Sequence, residues 1–197
     1  GKTMKYSVIT IGREFCTGGL DIAREVARRL GGPMYDKELI TLAAKESGLS
    51  EQAIAAGEKR PSGSLLYNLY TMGSDLPLSD QVFVVQSQII RGLADKGPCV
   101  IVGRCADYIL REREDCLNVF IHASMAARAD RIVRLYGSSE KSPEKRLEEK
   151  DKRRRVYYKH YTDGDWGMSQ NYHLSLDSGI IGIQRCVDII SELAKTL

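Results

Sequence analysis

No stretch of the chain strings together eighteen apolar residues, which excludes an ordinary membrane-spanning helix. The start of the chain lacks the apolar segment and cleavage site of a signal peptide, so the expected compartment is the cytoplasm. The five cysteines (Cys16, Cys99, Cys105, Cys116, Cys186) are odd in number, scattered, and form no C-x-x-C pair. That excludes a disulfide framework or zinc ribbon and points to reduced thiols. The three histidines, His122, His160 and His173, are too far apart for metal-ligand spacing and read as structural or surface residues. Neither G-x-S-x-G nor H-E-x-x-H occurs, which argues against the common serine hydrolases and zinc proteases. A net charge of +3 is too small for general coating of nucleic acid, although a local basic patch can still hold phosphate.

What remains is an ordinary globular composition, 43% hydrophobic and 28% charged, on 197 residues. That length fits one domain with a buried core. The chain is organised around residues 6–30. A short apolar run, Val8-Ile9-Thr10-Ile11, leads into the loop Gly12-Arg13-Glu14-Phe15-Cys16-Thr17-Gly18-Gly19. A helical pattern follows, with Ile22, Val26, Ala27 and Leu30 on one face. Strand, tight loop and helix in this order bring backbone N–H groups and a positive helix end to one point, which suits an anion. The loop departs from the Walker A pattern G-x-x-x-x-G-K-[ST]. With Gly18 as the second glycine, Arg13 stands at the first, Gly19 at the lysine and Leu20 at the metal-binding hydroxyl. Two readings stay open: a phosphate cradle whose cation comes from Arg13 or Lys37, and a plain strand-to-helix turn needing positive φ.

Along the rest of the chain, strand and helix alternate. Gly31-Gly32-Pro33 ends the first helix. A brief extended piece ends at Tyr35, and Asp36 caps a helix to about Glu46. A short helical piece is expected after Ser50. Residues 57–78 read as an irregular insertion around Leu65, Leu66, Leu69, Tyr70 and Met72, or as a flap or self-association surface. Ser79-Asp80 starts a helix to Lys96, and Cys99–Val102 has the continuous apolar character of a central parallel strand. Gly103-Arg104-Cys105-Ala106-Asp107 then stands at the sheet's carboxyl edge, which favours Arg104 as a phosphate ligand. Residues 117–121 form a strand, and Ser124 caps a helix in which Arg128, Arg131 and Arg134 are expected to share a face. Ser142-Pro143 opens a strongly basic helix, with Ser as N-cap and Pro at its first position. Its aromatics (Tyr157, Tyr158, Tyr161) are clustered, not interleaved, so nucleic acid is an unlikely partner. The last strand lies at 173–176, followed by one amphipathic helix. The alternation predicts an α/β fold: a parallel sheet between helices, joined by right-handed crossovers.

Six segments together carry a family resemblance: I-G-R-E-F-C-T-G-G at 11–19, Y-D-K-E-L-I at 35–40, V-I-V-G-R-C-A-D at 100–107, V-F-I-H-A-S-M-A-A-R-A-D-R at 119–131, K-D-K-R-R-R-V-Y-Y at 150–158 and N-Y-H-L-S-L-D-S at 171–178. In this order they resemble the cytidylate kinase-like family, a branch of the nucleoside monophosphate kinases. The resemblance implies a single domain over residues 1–197 with a three-layer P-loop kinase-like fold. It would have a five-stranded parallel sheet, an acceptor-binding region at about 36–80 and an arginine-bearing lid at about 128–160. It implies ATP and Mg²⁺ as donor and metal, and a small-molecule nucleotide as the partner; a homo-oligomer is an open expectation.

Carried onto this sequence, Gly12, Arg13, Cys16, Thr17, Gly18, Gly19 and Leu20 would surround the donor phosphates. Tyr35, Asp36, Lys37, Arg104 and Asp107 would belong to the acceptor side. Arg13, Arg128, Arg131, Arg153 and Arg154 would neutralise charge during transfer. The metal ligand is not identified. The departures from true cytidylate kinases are Gly19 for the Walker lysine, Cys105 for the aspartate after the G-R arginine, with Asp107 two places on, Leu42 for an arginine, and Arg154 for a lid aspartate. The kinase-like branch resembles R-E-F-G-S-G-G at the loop, where this chain reads R-E-F-C-T-G-G. Two functions follow from the resemblance. One is transfer of the γ-phosphoryl of ATP to a nucleoside monophosphate or similar phosphorylated acceptor. The other is a nucleotide-binding regulatory protein that keeps the fold with impaired chemistry.

Overall fold

The computed structural model describes residues 5–46 and 78–195. The helical piece expected after Ser50 lies outside the described residues, as does the insertion at 57–78 up to Leu78, where a helix begins. In chain order the elements are β1 (Val8–Arg13), α1 (Gly19–Leu30), β2 (Met34–Tyr35), α2 (Lys37–Glu46), α3 (Leu78–Asp95), β3 (Cys99–Val102), α4 (Ala106–Ile109), β4 (Cys116–His122), α5 (Met125–Tyr136), α6 (Pro143–Thr162), β5 (Leu174–Asp177), α7 (Ser178–Ile181) and α8 (Ile183–Ala194). They fall into two compact units, Gly1–Met34 with Gly97–Leu197, and Tyr35–Lys96.

The sheet is parallel, in the order β2-β3-β1-β4-β5. β1 is central: Val8 pairs with Cys99 on one side and with Cys116 on the other. A strand flanked on both edges and covered on both faces must be apolar throughout. Accordingly Val8, Ile9 and Ile11 of β1 and all four residues of β3 are buried. One continuous core joins β1, β3 and β4 to Ile22, Ala23, Val26 and Ala27 of α1 and to Cys186, Val187 and Ile190 of α8. Thr10, buried in β1, donates its hydroxyl proton to Asn118 Oδ1 of β4 at 2.7 Å. In the second unit α2 packs against α3, and Asp36 accepts the Leu39 N–H at 3.0 Å as an N-cap.

Local chemistry sets most element ends. Ser124 and Ser142 cap α5 and α6 by accepting the N–H groups of Ala127 and Lys145, and Pro143 sits in the first turn of α6. Three expectations need correction. β1 runs on through Gly12 and Arg13, because both pair with β4, opposite Phe120 and Ile121. The loop therefore begins at Glu14. The last helix is broken into α7 and α8, because Gly182 at φ 90° cannot continue a right-handed turn. Finally, Arg128, Arg131 and Arg134 do not share a face. Three residues fall about 60° short of a full helical turn, so they fan from buried (Arg128) through half-buried (Arg131) to exposed (Arg134).

Candidate functional site

The carboxyl ends of β1, β3 and β4 point toward the helical pair α5–α6, and the charged residues of the first unit gather there. The loop after β1 is held open by two left-handed residues, Cys16 at φ 63° and Gly18 at φ 79°. Its interior is pinned by Thr17, which is buried. The Thr17 hydroxyl donates to the Glu14 carbonyl (2.9 Å) and accepts the Gly19 N–H (3.3 Å). The Thr17 carbonyl accepts the Ser178 hydroxyl from α7 at 2.7 Å. These bonds fix a curved backbone whose concave side leads into the N-terminus of α1.

α6 meets this loop through Asp151 and Arg154, which lie on a helix face that also carries the buried Leu147 and Tyr158. The spacing of these side chains, by four, three and four residues, puts them on that one face. Asp151 is buried and accepts the Phe15 N–H at 2.8 Å with Oδ1, while Oδ2 pairs with Arg128 at 2.7 Å. Arg128 is buried too. It also donates from Nε to the Ala123 carbonyl (3.0 Å) and lies 3.5 Å from Glu14 Oε2. Glu14 in turn accepts the Ala123 N–H at 3.1 Å. Arg154 donates to the Arg13 carbonyl at 2.8 Å, and its guanidinium lies 5.5 Å from the centre of the Phe15 ring. Burial lowers the Arg154 pKa, opposed by the carboxylate of Asp151. Burial holds the Cys16 thiol above its ordinary value despite the fields of Arg131, Arg128, Arg146 and Arg154, so Cys16 stays a neutral thiol. Arg128 is paired with Asp151 and Arg131 with Asp21, so of these four it is Arg146 and Arg154 that add positive charge at the loop without an ion pair among the described residues.

The exit of β3 forms a second, smaller half of the site. Gly103, Arg104 and Cys105 are all left-handed, with φ of 66°, 55° and 59°. A non-glycine residue held there costs of order 1–2 kcal/mol, so the surroundings must over-determine it. They do: the Cys105 side chain is buried, and Arg104 donates from Nη2 to the Tyr157 hydroxyl at 3.0 Å with its guanidinium 4.5 Å from the centre of that ring. Next door, the Tyr158 hydroxyl donates to Asp107 Oδ2 at 2.8 Å. Burial raises the Asp107 carboxyl above its ordinary value, with the Tyr158 hydrogen bond opposing. Burial also pushes the Tyr157 phenol up to about 12, so it stays a neutral hydroxyl.

The sequence-derived candidates thus separate. Arg13, Cys16, Thr17, Gly18, Gly19, Arg128 and Arg154 converge on the loop. Arg104 and Asp107 stand at the β3 exit. Arg131 also reaches the loop: it is half-buried, its Nη2 pairs with Asp21 at 3.0 Å, and a Cβ on Gly18 would meet that nitrogen at 3.5 Å. Arg153 is exposed on α6, and Leu20 is 36% exposed in the first turn of α1. Gly12 is a strand residue packed on Phe120. Tyr35, Asp36 and Lys37 belong to the second unit: Tyr35 ends β2, Asp36 caps α2 and Lys37 opens it. Glu14, Asp151, Tyr157 and Tyr158 are additions. A signal for them existed in the one-face spacing of Leu147, Asp151, Arg154 and Tyr158, and in a lone acid within the basic run 150–155.

A Mg²⁺ ion finds no dedicated ligands here. Leu20 replaces the loop hydroxyl, the Thr17 hydroxyl is occupied within the loop, and no cluster of three or more His, Cys, Asp or Glu residues exists among the described residues. These residues do not fit a protein-held metal; coordination would be left to donor phosphates and water.

A five-stranded parallel sheet with this loop at its carboxyl edge is the fold of the P-loop kinases. A gluconokinase from Sinorhizobium meliloti 1021 shares it at TM-score 0.54 and 14% identity, over 96% of this chain and 94% of that one. A shikimate kinase from Bacteroides thetaiotaomicron does so at TM-score 0.53 and 14% identity, over 97% and 98%. Within that class, the sequence pattern of the cytidylate kinase-like family matches residues 8–180, and the chain belongs to that family. An uncharacterized protein from Eubacterium ventriosum ATCC 27560 is more similar, at 29% identity and TM-score 0.74 over 94% of this chain and 96% of that one. No curated protein matches.

Two outcomes test this geometry. Asp151→Ala leaves the buried Arg128 charge unpaired and is expected to cost about 3–5 kcal/mol in denaturant unfolding. Asp21→Ala, which removes the half-exposed carboxylate shared by Arg131 and Arg24, is expected to cost less than about 1 kcal/mol. Asp107 gives a pH signature. Its folded pKa is raised above 3.8, so across that window the folded chain keeps a proton that the unfolded chain has released. Stability conferred by the protonated group is therefore present at low pH and lost as pH rises through the folded pKa. The stability of wild type minus that of Asp107→Asn should fall as pH rises above about 3.8, then level off. A difference independent of pH would contradict the assignment.

Proposed function

We propose that the protein is a nucleotide kinase of cytidylate-like type. It transfers the γ-phosphoryl of ATP to a nucleoside monophosphate or a similar small phosphorylated acceptor. Family membership and fold support the coarser statement, a phosphotransferase acting on a small molecule. The observation that supports the finer reading is the meeting of Arg13 and Arg154 at one loop, with Arg104 at the neighbouring strand exit.

In this reading the backbone of residues 14–19 wraps the donor phosphates, and the N-terminus of α1 adds its partial positive charge. Phosphoryl transfer passes through a loose transition state with charge spread over the equatorial oxygens. The work of the protein is then positioning and charge stabilisation. Arg13 and Arg154 stand at the loop for that task. Arg128 is spent on Asp151 and Glu14, so it shapes the loop and does not touch phosphate. Arg131 lies at the opening of α1. Arg104 takes the acceptor phosphate, handed over from the Tyr157 hydroxyl, and Asp107 steadies that exit through Tyr158. Tyr35, Asp36 and Lys37 begin the acceptor region, and α5–α6 form a lid that excludes water from the transferring group.

The test is release of ADP from ATP in the presence of CMP, dCMP, UMP, AMP or GMP, against a control without acceptor. Acceptor-dependent turnover is expected, with Arg104→Ala lowering kcat/KM by about 10²-fold. Binding of ATP without turnover on any acceptor would instead support a regulatory nucleotide-binding protein.

A further inference from the structure

The loop differs from a Walker A loop at its first, seventh and eighth positions, and the first two of these differences are linked in space. In G-x-x-x-x-G-K the first position is glycine and the seventh is the cation. Here the first is Arg13 and the seventh is Gly19. The Arg13 side chain runs through the volume that a side chain at 19 would fill. A Cβ built on Gly19 would stand 2.7 Å from Arg13 Cβ and 2.6 Å from its Cγ. Those atoms are the root of the side chain, which cannot swing aside without moving β1. Farther out, a Cβ on Gly103 would meet Arg13 Nη1 at 3.0 Å. Arg13 therefore crosses from the loop to the β3 exit, beside Arg104. Two glycines make room for it, one under its aliphatic stem and one under its guanidinium.

We infer that the loop cation is transposed. Arg13, entering from the strand side, occupies the place and takes the role that a lysine at position 19 holds in a Walker A loop, and Gly19 is glycine because Arg13 is there. This rests on the donor-phosphate reading above and sharpens it, since the cation then reaches the loop and the β3 exit at once. Its planar, multiply donating guanidinium suits oxygens presented from two sides better than a point-like ammonium does. The inference also explains why the Walker A lysine can be absent without the loop losing its cation.

The test is a double-mutant cycle read by ATP titration calorimetry and by thermal unfolding. Arg13→Gly is expected to weaken ATP binding at least tenfold, as is Gly19→Lys, which collides with Arg13. The double variant Arg13→Gly/Gly19→Lys, which spells an ordinary Walker A glycine and lysine, is expected to return to within about threefold of wild type. Thermal unfolding provides the steric arm: Gly19→Ala lowers the melting temperature when Arg13 is present and not in the Arg13→Gly background. Where glycine in β1 impairs folding, Arg13→Met keeps the stem over Gly19 and removes only the guanidinium; it should melt as wild type and lose the same affinity. If wild type binds ATP but Arg13→Met binds it equally well, or the losses of the two single variants simply add, the transposition is wrong and the kinase reading stands. If wild type does not bind ATP, both fall.

Discussion

The buried pair between Asp151 and Arg128 is the joint on which the rest of the site depends. Two opposite charges taken out of water are costly unless every remaining donor and acceptor is satisfied. Here they are placed so that satisfying them builds the loop. The second carboxylate oxygen of Asp151 takes the Phe15 N–H. The other donors of Arg128 reach Ala123 and Glu14. Neither α6 nor the loop after β1 can shift alone without uncovering a charge. The helical pair, the strand exits and the loop are thus tied together by one desolvated ion pair, and the arginines exposed around it inherit their positions from that tie.

Charge at the site is distributed in a way that follows from this. A Walker A loop places its cation on the helix that follows the loop. In this chain the cations come from outside that helix: Arg13 from β1, Arg154 from α6 and Arg104 from the exit of β3. Arg154 donates to a backbone carbonyl and Arg104 to a phenol. These are neutral acceptors, so an incoming anion gains on charge when it replaces them. Arg128, facing two carboxylates, does not have that option. The distinction between arginines that hold the site together and arginines that can turn to a ligand is a matter of partner charge and burial, not of position in the sequence.

Much of the fold was legible in the sequence because local chemistry decides it. Continuous apolar runs gave β1, β3 and β4, and Ser124, Ser142-Pro143 and Asp36 marked helix starts that the structure keeps. The break in the final helix has an equally local cause that its apolar periodicity does not reveal: Gly182 adopts φ 90° and separates α7 from α8. The site was less legible. The loop's lost lysine was visible, and so was Arg13 as its replacement, but the steric reason linking Arg13 to Gly19 requires knowing that Gly12 and Arg13 stay in the strand. Asp151 looked like one more charge on a solvated basic helix. Its role comes from the meeting of α6 with a loop more than a hundred residues earlier; the spacing within α6 marks the face that Asp151 lies on, but not the partner it finds there. Tyr157 and Tyr158 were read as a cluster of aromatics, and their hydroxyl partners on the β3 exit are likewise tertiary.

The most direct measurement is an amide-resolved NMR titration of the protein with a non-hydrolysable ATP analogue. The expected result is saturable shifts concentrated at the amides of Cys16 to Leu20, with the side-chain Nε–H signals of Arg13 and Arg154 moving in step. Shifts that saturate elsewhere, with the amides of residues 14–20 unmoved, would mean that the loop is a structural turn and that the phosphate site lies in another part of the molecule.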